Sequence, residues 1–280
     1  MITFPIAMLT LLLVVPGGTV QRQEVPSPTL GGARTIRVYL PPGYGKPESA
    51  LKRYPVVYLL HGWPGSDGNW FSMGHADEST DTLIARKQVP ELILVCPNGN
   101  CGMLGRTMYM NAVRGNCDME DYVARDVRAW VDSTFRTRAE PSARAVLGLS
   151  DGGTGALNLA MLHPDLFGAC ASLSADLVVT PGEFGLGGAL GQGAEALAQV
   201  EHYSAEHNAT TRAAQVREQV IYFDCGLQDE SLDENRAFHR ALDALKIPHT
   251  YREYPGSHTW GYWRVHFRDA LIAITQHMPR

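Results

Sequence analysis

Short apolar, β-branched runs alternate along this chain with longer segments whose apolar positions recur at helical spacing. The short runs at 34–40, 55–60, 92–96, 144–149, 169–173, 220–224 and 249–254 read as strands. The longer ones at 79–87, 119–136, 153–162, 232–245 and 263–277 read as helices, as Tyr122, Val123, Val127, Trp130 and Val131 illustrate for the second. After the first two strands the two kinds largely alternate, which predicts one open α/β sheet, mostly parallel, with helices on both faces. Residues 177–217 break the alternation. They carry several glycine turns, little strand pattern and a weak helix around 194–200. An insertion there, between two core strands, is expected to act as a cap at the carboxyl ends of the strands, where ligands bind. Its Gly185-Leu186-Gly187-Gly188 turn is expected to be a mobile part of the substrate wall.

Residues 18–280 read as a single domain, and residues 1–17 stand apart from it. Met1 to Val15 is mostly apolar and has no charged side chain. It is short against the ~20 residues that a stable membrane span needs. A signal peptide with cleavage near Val15-Pro16-Gly17 is the expectation, and with it export; the end of a longer anchor or an apolar strand are the alternatives. A net charge of -5 with both signs interspersed offers no basic stripe for nucleic acid and no polybasic patch for anionic lipid. A small or neutral partner is therefore expected. The five cysteines make no metal-binding spacing, so neither metal nor cofactor is expected. Cys96, Cys170 and Cys225 fall in apolar strands, where cysteine behaves as a small hydrophobe. Cys101 and Cys117 lie in a Gly/Asn-rich stretch, either as a disulfide in an exported protein or as two unpaired thiols.

The strand at 144–149 runs into Gly148-Leu149-Ser150-Asp151-Gly152-Gly153 and then into a helical run from Ala156. Strand, Gly-x-Ser-x-Gly and helix together form a sharp turn that projects Ser150 at a helix N-terminus, where negative charge is favoured. A serine hydroxyl needs a base, and the base needs a group that fixes its tautomer. In this type of fold the partners follow in the order Ser, Asp or Glu, His. Asp229 follows the apolar run from Val220, and His258 follows the last strand within Tyr254-Pro255-Gly256-Ser257-His258. Their positions after strand ends favour them over Asp224, Glu230 and Asp233, and over His163, His202, His207, His239, His249, His266 and His277.

The strand at 55–60 ends in His61-Gly62-Trp63-Pro64-Gly65, a turn expected at the same sheet end. The backbone amides of Trp63 and Asp151 are the expected oxyanion donors, with His61 orienting the loop rather than reacting. Trp63 and Trp260 are the expected aromatic wall for a sugar ring or an aryl group; Trp263 reads as core.

With these residues in place, the chain resembles the putative-esterase family, which includes esterase D, feruloyl and acetyl-xylan esterases and mycolyltransferases. The resemblance runs from about Gly18 onward. It is carried by Val38-Tyr39-Leu40-Pro41-Pro42-Gly43-Tyr44, by Tyr54-Pro55-Val56 through His61-Gly62, by Gly148 to Gly153, by Cys225-Gly226 through Asp229, and by Gly256-Ser257-His258-Thr259-Trp260. It implies an α/β-hydrolase fold, a Ser150, Asp229 and His258 triad, and oxyanion amides from Trp63 and Asp151. One departure is Asp151, where many members carry Met. A carboxylate there is expected to disfavour anionic substrates and to raise the pKa of His258. The leading functional expectation is hydrolysis of a small carboxylic ester through an acyl-enzyme. Acyl transfer by the same residues and a catalytically inactive binding module are the alternatives.

Overall fold

A computed structural model describes residues 17–101, 105–115, 117–182 and 185–279. The expected signal segment, apart from Gly17, lies outside the described residues. Eight strands form one sheet in the order β1-β2-β4-β3-β5-β6-β7-β8. Seven of them, β2 (Gly32–Leu40), β3 (Val56–Leu60), β4 (Ile93–Pro97), β5 (Arg144–Leu149), β6 (Ala169–Leu173), β7 (Val220–Gly226) and β8 (Thr250–Tyr254), coincide with the apolar runs. The eighth, β1 (Thr19–Ser27), pairs antiparallel with β2, and β2 pairs antiparallel with β4. β1 escapes sequence reading because its faces are mixed: TVQRQEVPS has only Val25 and Ser27 fully buried. From β3 to β8 every pairing is parallel. The central strands β3, β4, β5 and β6 are buried at every position, as a sheet covered on both faces requires.

The two faces have separate cores. One gathers Ile36, Val38, Tyr58, Val95, Val146 and the helices 119–134 and Asp151–Leu162; the other gathers Val57, Leu59, Leu94, Leu147 and the last helix, Trp260–Thr275. Within 119–134 the turns over Tyr122–Val127 widen to π geometry, and Tyr122, Val123, Ala124 and Val127 are all buried there. No helix among the described residues is long and apolar enough to cross a membrane.

The insertion is more helical than its sequence pattern suggests, with helices Gly187–Leu190, Ala194–His202, Ala205–Thr211 and Ala213–Val216. Its glycines and polar residues hide short amphipathic turns. Leu186, Leu190, Ala196 and Tyr203 pack on Met108 and Met110 in a small core of their own. Cys101 and Cys117 form a disulfide in the adjoining loop, while Cys96, Cys170 and Cys225 are buried and unbridged.

β5 and the helix that follows it approach so closely that a Cβ on Gly148 would overlap the backbone of Gly152. A Cβ on Gly187, in contrast, meets open space. Gly148→Ala should therefore cost more than ~2 kcal/mol in chemical denaturation, as backbone overlap in a packed site does. Gly187→Ala should be neutral or stabilise by up to about 1 kcal/mol. Equal effects at the two positions would contradict this packing.

Candidate active site

Four loops at the carboxyl ends of parallel strands converge on one point. Ser150 follows β5, Asp229 follows β7, His258 follows β8, and the His61–Gly65 turn follows β3. Ser150 sits at φ 53 and ψ -128, a region that L-residues rarely occupy. The strain is held by its amide bonding the Leu173 carbonyl (2.9 Å) and by its own carbonyl accepting from Gly153 (2.8 Å) and Thr154 (3.1 Å). The result lifts the hydroxyl to the start of the helix Asp151–Leu162, whose first backbone N–H groups have no intrahelical acceptor.

His258 Nε2 lies 2.9 Å from Ser150 Oγ, and its Nδ1 lies 3.0 and 3.1 Å from the two carboxylate oxygens of Asp229. Nδ1–H pointing at the carboxylate leaves Nε2 as the acceptor that faces the hydroxyl. Asp229 also accepts from the Ser231 amide at 3.0 Å. Burial alone would push the Asp229 carboxyl up, but the His258 and Ser231 hydrogen bonds hold it below the ordinary carboxylate range. For His258, burial disfavours the charged ring, and the hydrogen bond and charge of Asp229 outweigh it, so its pKa is raised. The loops bearing Asp229 and His258 are tied together: Leu227 bonds the Tyr254 carbonyl, and Gln228 and Gly256 bond each other in both directions, each at 2.8 Å.

The competing residues are engaged elsewhere. Asp224 is wholly buried beneath the loops, accepts from Tyr222 (2.9 Å) and Tyr262 (2.8 Å), and is pushed by burial to a pKa of about 8. Glu230 and Asp233 face solvent. His163 is bonded to Glu120, and His266 is stacked on Tyr254.

His61 is buried and serves as a brace. Its Nδ1 donates to the Gly62 carbonyl (2.8 Å) and its Nε2 accepts from the Gly99 amide (3.0 Å), with burial lowering its pKa. Tyr109 OH accepts from the His61 amide at 3.0 Å. The braced turn lies against Ser150, since a Cβ on Gly62 would come 3.0 Å from that of Ser150. A cleft of about 250 Å³ opens over Ser150 and His258, walled by Trp63, Trp260 and Trp263. Trp263 is 6% exposed, and its ring meets His258 edge-on at 4.9 Å, so it is both core and wall. Among the described residues none of those lining the cleft comes from the insertion, although a Cβ built on its Gly185 would come 3.1 Å from Arg106. A larger hollow, about 940 Å³, lies at the opposite, amino ends of the central strands beside Tyr54, Val89 and Thr137, away from Ser150.

Arg106 corrects the expectation about Asp151. Its guanidinium grips the Asp151 carboxylate, with Nε 2.8 Å from Oδ2 and a terminal nitrogen 2.7 Å from Oδ1, and reaches Asp176 at 3.0 Å. Burial pushes the Asp151 carboxyl up while Arg106 opposes it. The charge is thus compensated locally, and it is Asp229 that raises His258. Asp176 in turn accepts from Ser231 Oγ at 2.8 Å. A closed ring results: Ser150 to Asp151 along the chain, then Arg106, Asp176, Ser231, Asp229, His258 and back to Ser150. Arg106, Asp176 and Ser231 carry no motif, and only the fold brings them together. Outside the site, His239, Asp243 and His249 form a group that could hold a metal ion.

The profile of the family described as Putative esterase matches residues 27–274. An endo-1,4-beta-xylanase/feruloyl esterase of Xylanibacter ruminicola is 32% identical over 160 residues, covering 56% of this chain and 22% of its own. An esterase of Mycobacterium tuberculosis is 31% identical over 256 residues, covering 80% of this chain and 52% of its own. The chain thus spans about half or less of the length of these curated relatives. Among solved structures, a ferulic acid esterase superposes with a TM-score of 0.83 at 26% identity, covering 94% of this chain and 99% of its own.

The ring makes a prediction about stability. Arg106→Gln leaves a buried carboxylate without its cation and should cost on the order of 3 kcal/mol in denaturant unfolding. Adding Asp151→Asn should recover much of that loss, because the unpaired charge goes with it. Simple additivity of the two substitutions would show that the pair is not coupled.

Proposed function

Because the chain belongs to the putative-esterase family, we propose that it is a serine carboxylic ester hydrolase acting through an acyl-enzyme, with Ser150 as nucleophile, His258 as general base and Asp229 as supporting acid. The observation that carries this reading is the relay of 2.9 and 3.0 Å from Ser150 through His258 to Asp229, built on a serine at positive φ. In the first half-reaction Ser150 Oγ attacks the ester carbonyl as His258 Nε2 takes its proton. The tetrahedral oxygen is received by the backbone amides of Asp151 and Trp63, each such donor contributing roughly 3 kcal/mol to transition-state stabilisation. Collapse expels the alcohol, which takes the proton from His258. Water then repeats the sequence on the acyl-serine and releases the acid.

The three tryptophans around a cleft of about 250 Å³ favour an acyl or alcohol part with a flat or apolar face, an aryl ester or an acylated sugar. The names of the feruloyl esterase relative and of the ferulic acid esterase structure agree with that class. We further propose export: the apolar Met1–Val15 segment and the Cys101–Cys117 bridge both suit an oxidising compartment.

Ester turnover on an aryl acetate and an aryl cinnamate tests the assignment. Ser150→Ala and His258→Ala should each lose on the order of 10⁴-fold in kcat, since such groups act as a unit. Near-normal activity in either removes the mechanism. Because Asp229 raises the pKa of His258, kcat/KM should rise with pH through a midpoint above ~6.5 as the ring loses its proton. Stability runs the other way: the Asp229–His258 contact contributes fully between about pH 4, where the unfolded carboxylate titrates, and ~6.5, and it fades as pH rises through the folded His258 value or falls through that of Asp229. Asp229→Asn should lower both the rate and that midpoint. A midpoint that stays put in Asp229→Asn would contradict the assignment of the acid.

A further inference from the structure

His239 and Asp243 stand one turn apart on the helix Leu232–Ala244, so their side chains share a face. His249 lies just before β8 and meets that face. Its side chain is only 4% exposed, and its Nδ1 donates to the Ile247 carbonyl at 2.8 Å. That bond fixes the tautomer and leaves Nε2 as the acceptor that faces the cluster, here hydrogen-bonded by His239 Nδ1 at 2.7 Å, with the second nitrogen oriented as in a metal-ligating histidine. The ring is further held by stacking on Phe223 at 5.7 Å and 20°. His249 Nε2 is 3.9 Å from Asp243 Oδ1, and His239 Nε2 is 3.5 Å from Asp243 Oδ2. One ligand atom from each residue lies within 4.8 Å of the other two.

We propose that His239, Asp243 and His249 bind a divalent transition-metal ion of the zinc class. Tetrahedral zinc with bonds of about 2.0–2.1 Å places its ligands roughly 3.4 Å apart, against 3.5 Å from His239 Nε2 to Asp243 Oδ2 and 3.9 Å from His249 Nε2 to the other carboxylate oxygen. The third requires the His239 ring to turn, because its Nδ1 now sits 2.7 Å from His249 Nε2. His239 is half-buried and Asp243 is exposed, so such a turn is open, and water would complete the coordination. Two imidazoles and a single carboxylate suit zinc, copper or nickel rather than magnesium or calcium, which favour all-oxygen sites.

The ion would tie the helix to β8, the edge strand of the sheet. It would do so at the start of β8, whereas His258 follows its end, about five residues or ~16 Å away along the strand. The site therefore acts on stability and leaves ester chemistry untouched.

The experiment uses full-length, tag-free protein stripped with EDTA and titrated with zinc chloride by calorimetry and by thermal melting, with magnesium and calcium in parallel. One equivalent of zinc should bind and raise Tm by roughly 5 °C, as a ligand specific to the native state does, with no response to magnesium or calcium. Asp243→Asn and His239→Ala, both at partly or fully exposed positions, should abolish the rise and keep the ester hydrolysis rate of the stripped protein. Absence of zinc binding, or an undiminished zinc response in both variants, would overturn the proposal. Either result leaves the assignment of Ser150, His258 and Asp229 untouched.

Discussion

The backbone of Ser150 is the constraint on which the site depends. Its φ of 53 is unfavourable for a residue with a side chain, and it persists because the turn is clamped between β5 and the following helix. The clamp needs Gly148 to bring β5 and the helix into contact, Gly152 to seat the helix start against the Leu60 and His61 carbonyls at the end of β3, and the Leu173 carbonyl to hold the Ser150 amide. What it yields is a hydroxyl raised above the sheet, within 2.9 Å of His258, at the positive end of a helix. The contacts from Ser150 to His258 and on to Asp229 would be lost if this turn relaxed.

Around that turn the protein must manage buried charge. Asp151, Asp224 and Asp229 are all buried carboxylates within one region. Each has a different solution. Asp229 is held by His258 and the Ser231 amide, Asp151 by Arg106, and Asp224 by two tyrosine hydroxyls. These differences separate the three carboxylates: one beside His258, one neutralised at the helix start, and one sealed under the loops. Arg106 and Asp176 also connect the Ser150 turn to the Asp229 loop, so that displacement of either is felt by the other.

Much of this was legible in the sequence, and the reasons are local. Strands buried on both faces announce themselves as continuous apolar runs, so β3 through β7 stand out, and chain order then points to Asp229 and His258. β1 did not, because a half-exposed edge strand such as TVQRQEVPS has no clean period. The insertion reads as mostly turns because its helices are short; the first two pack on Met108 and Met110, while the last two add Ala205, Ala209 and Val216 to the core that covers one face of the main sheet. Arg106, Asp176 and the His239–Asp243–His249 group were invisible for a different reason. Their pairing depends on three-dimensional proximity across long sequence separations or between a helix and a loop, with no spacing that marks it.

The central claim is that Ser150 becomes transiently acylated, and the most direct measurement is mass spectrometry of protein quenched in acid during turnover of a slow aryl ester. The account predicts a mass gain equal to one acyl group, mapped to the peptide containing Ser150 and missing from Ser150→Ala. Acyl mass on another residue, or its persistence in Ser150→Ala at the same level, would contradict it.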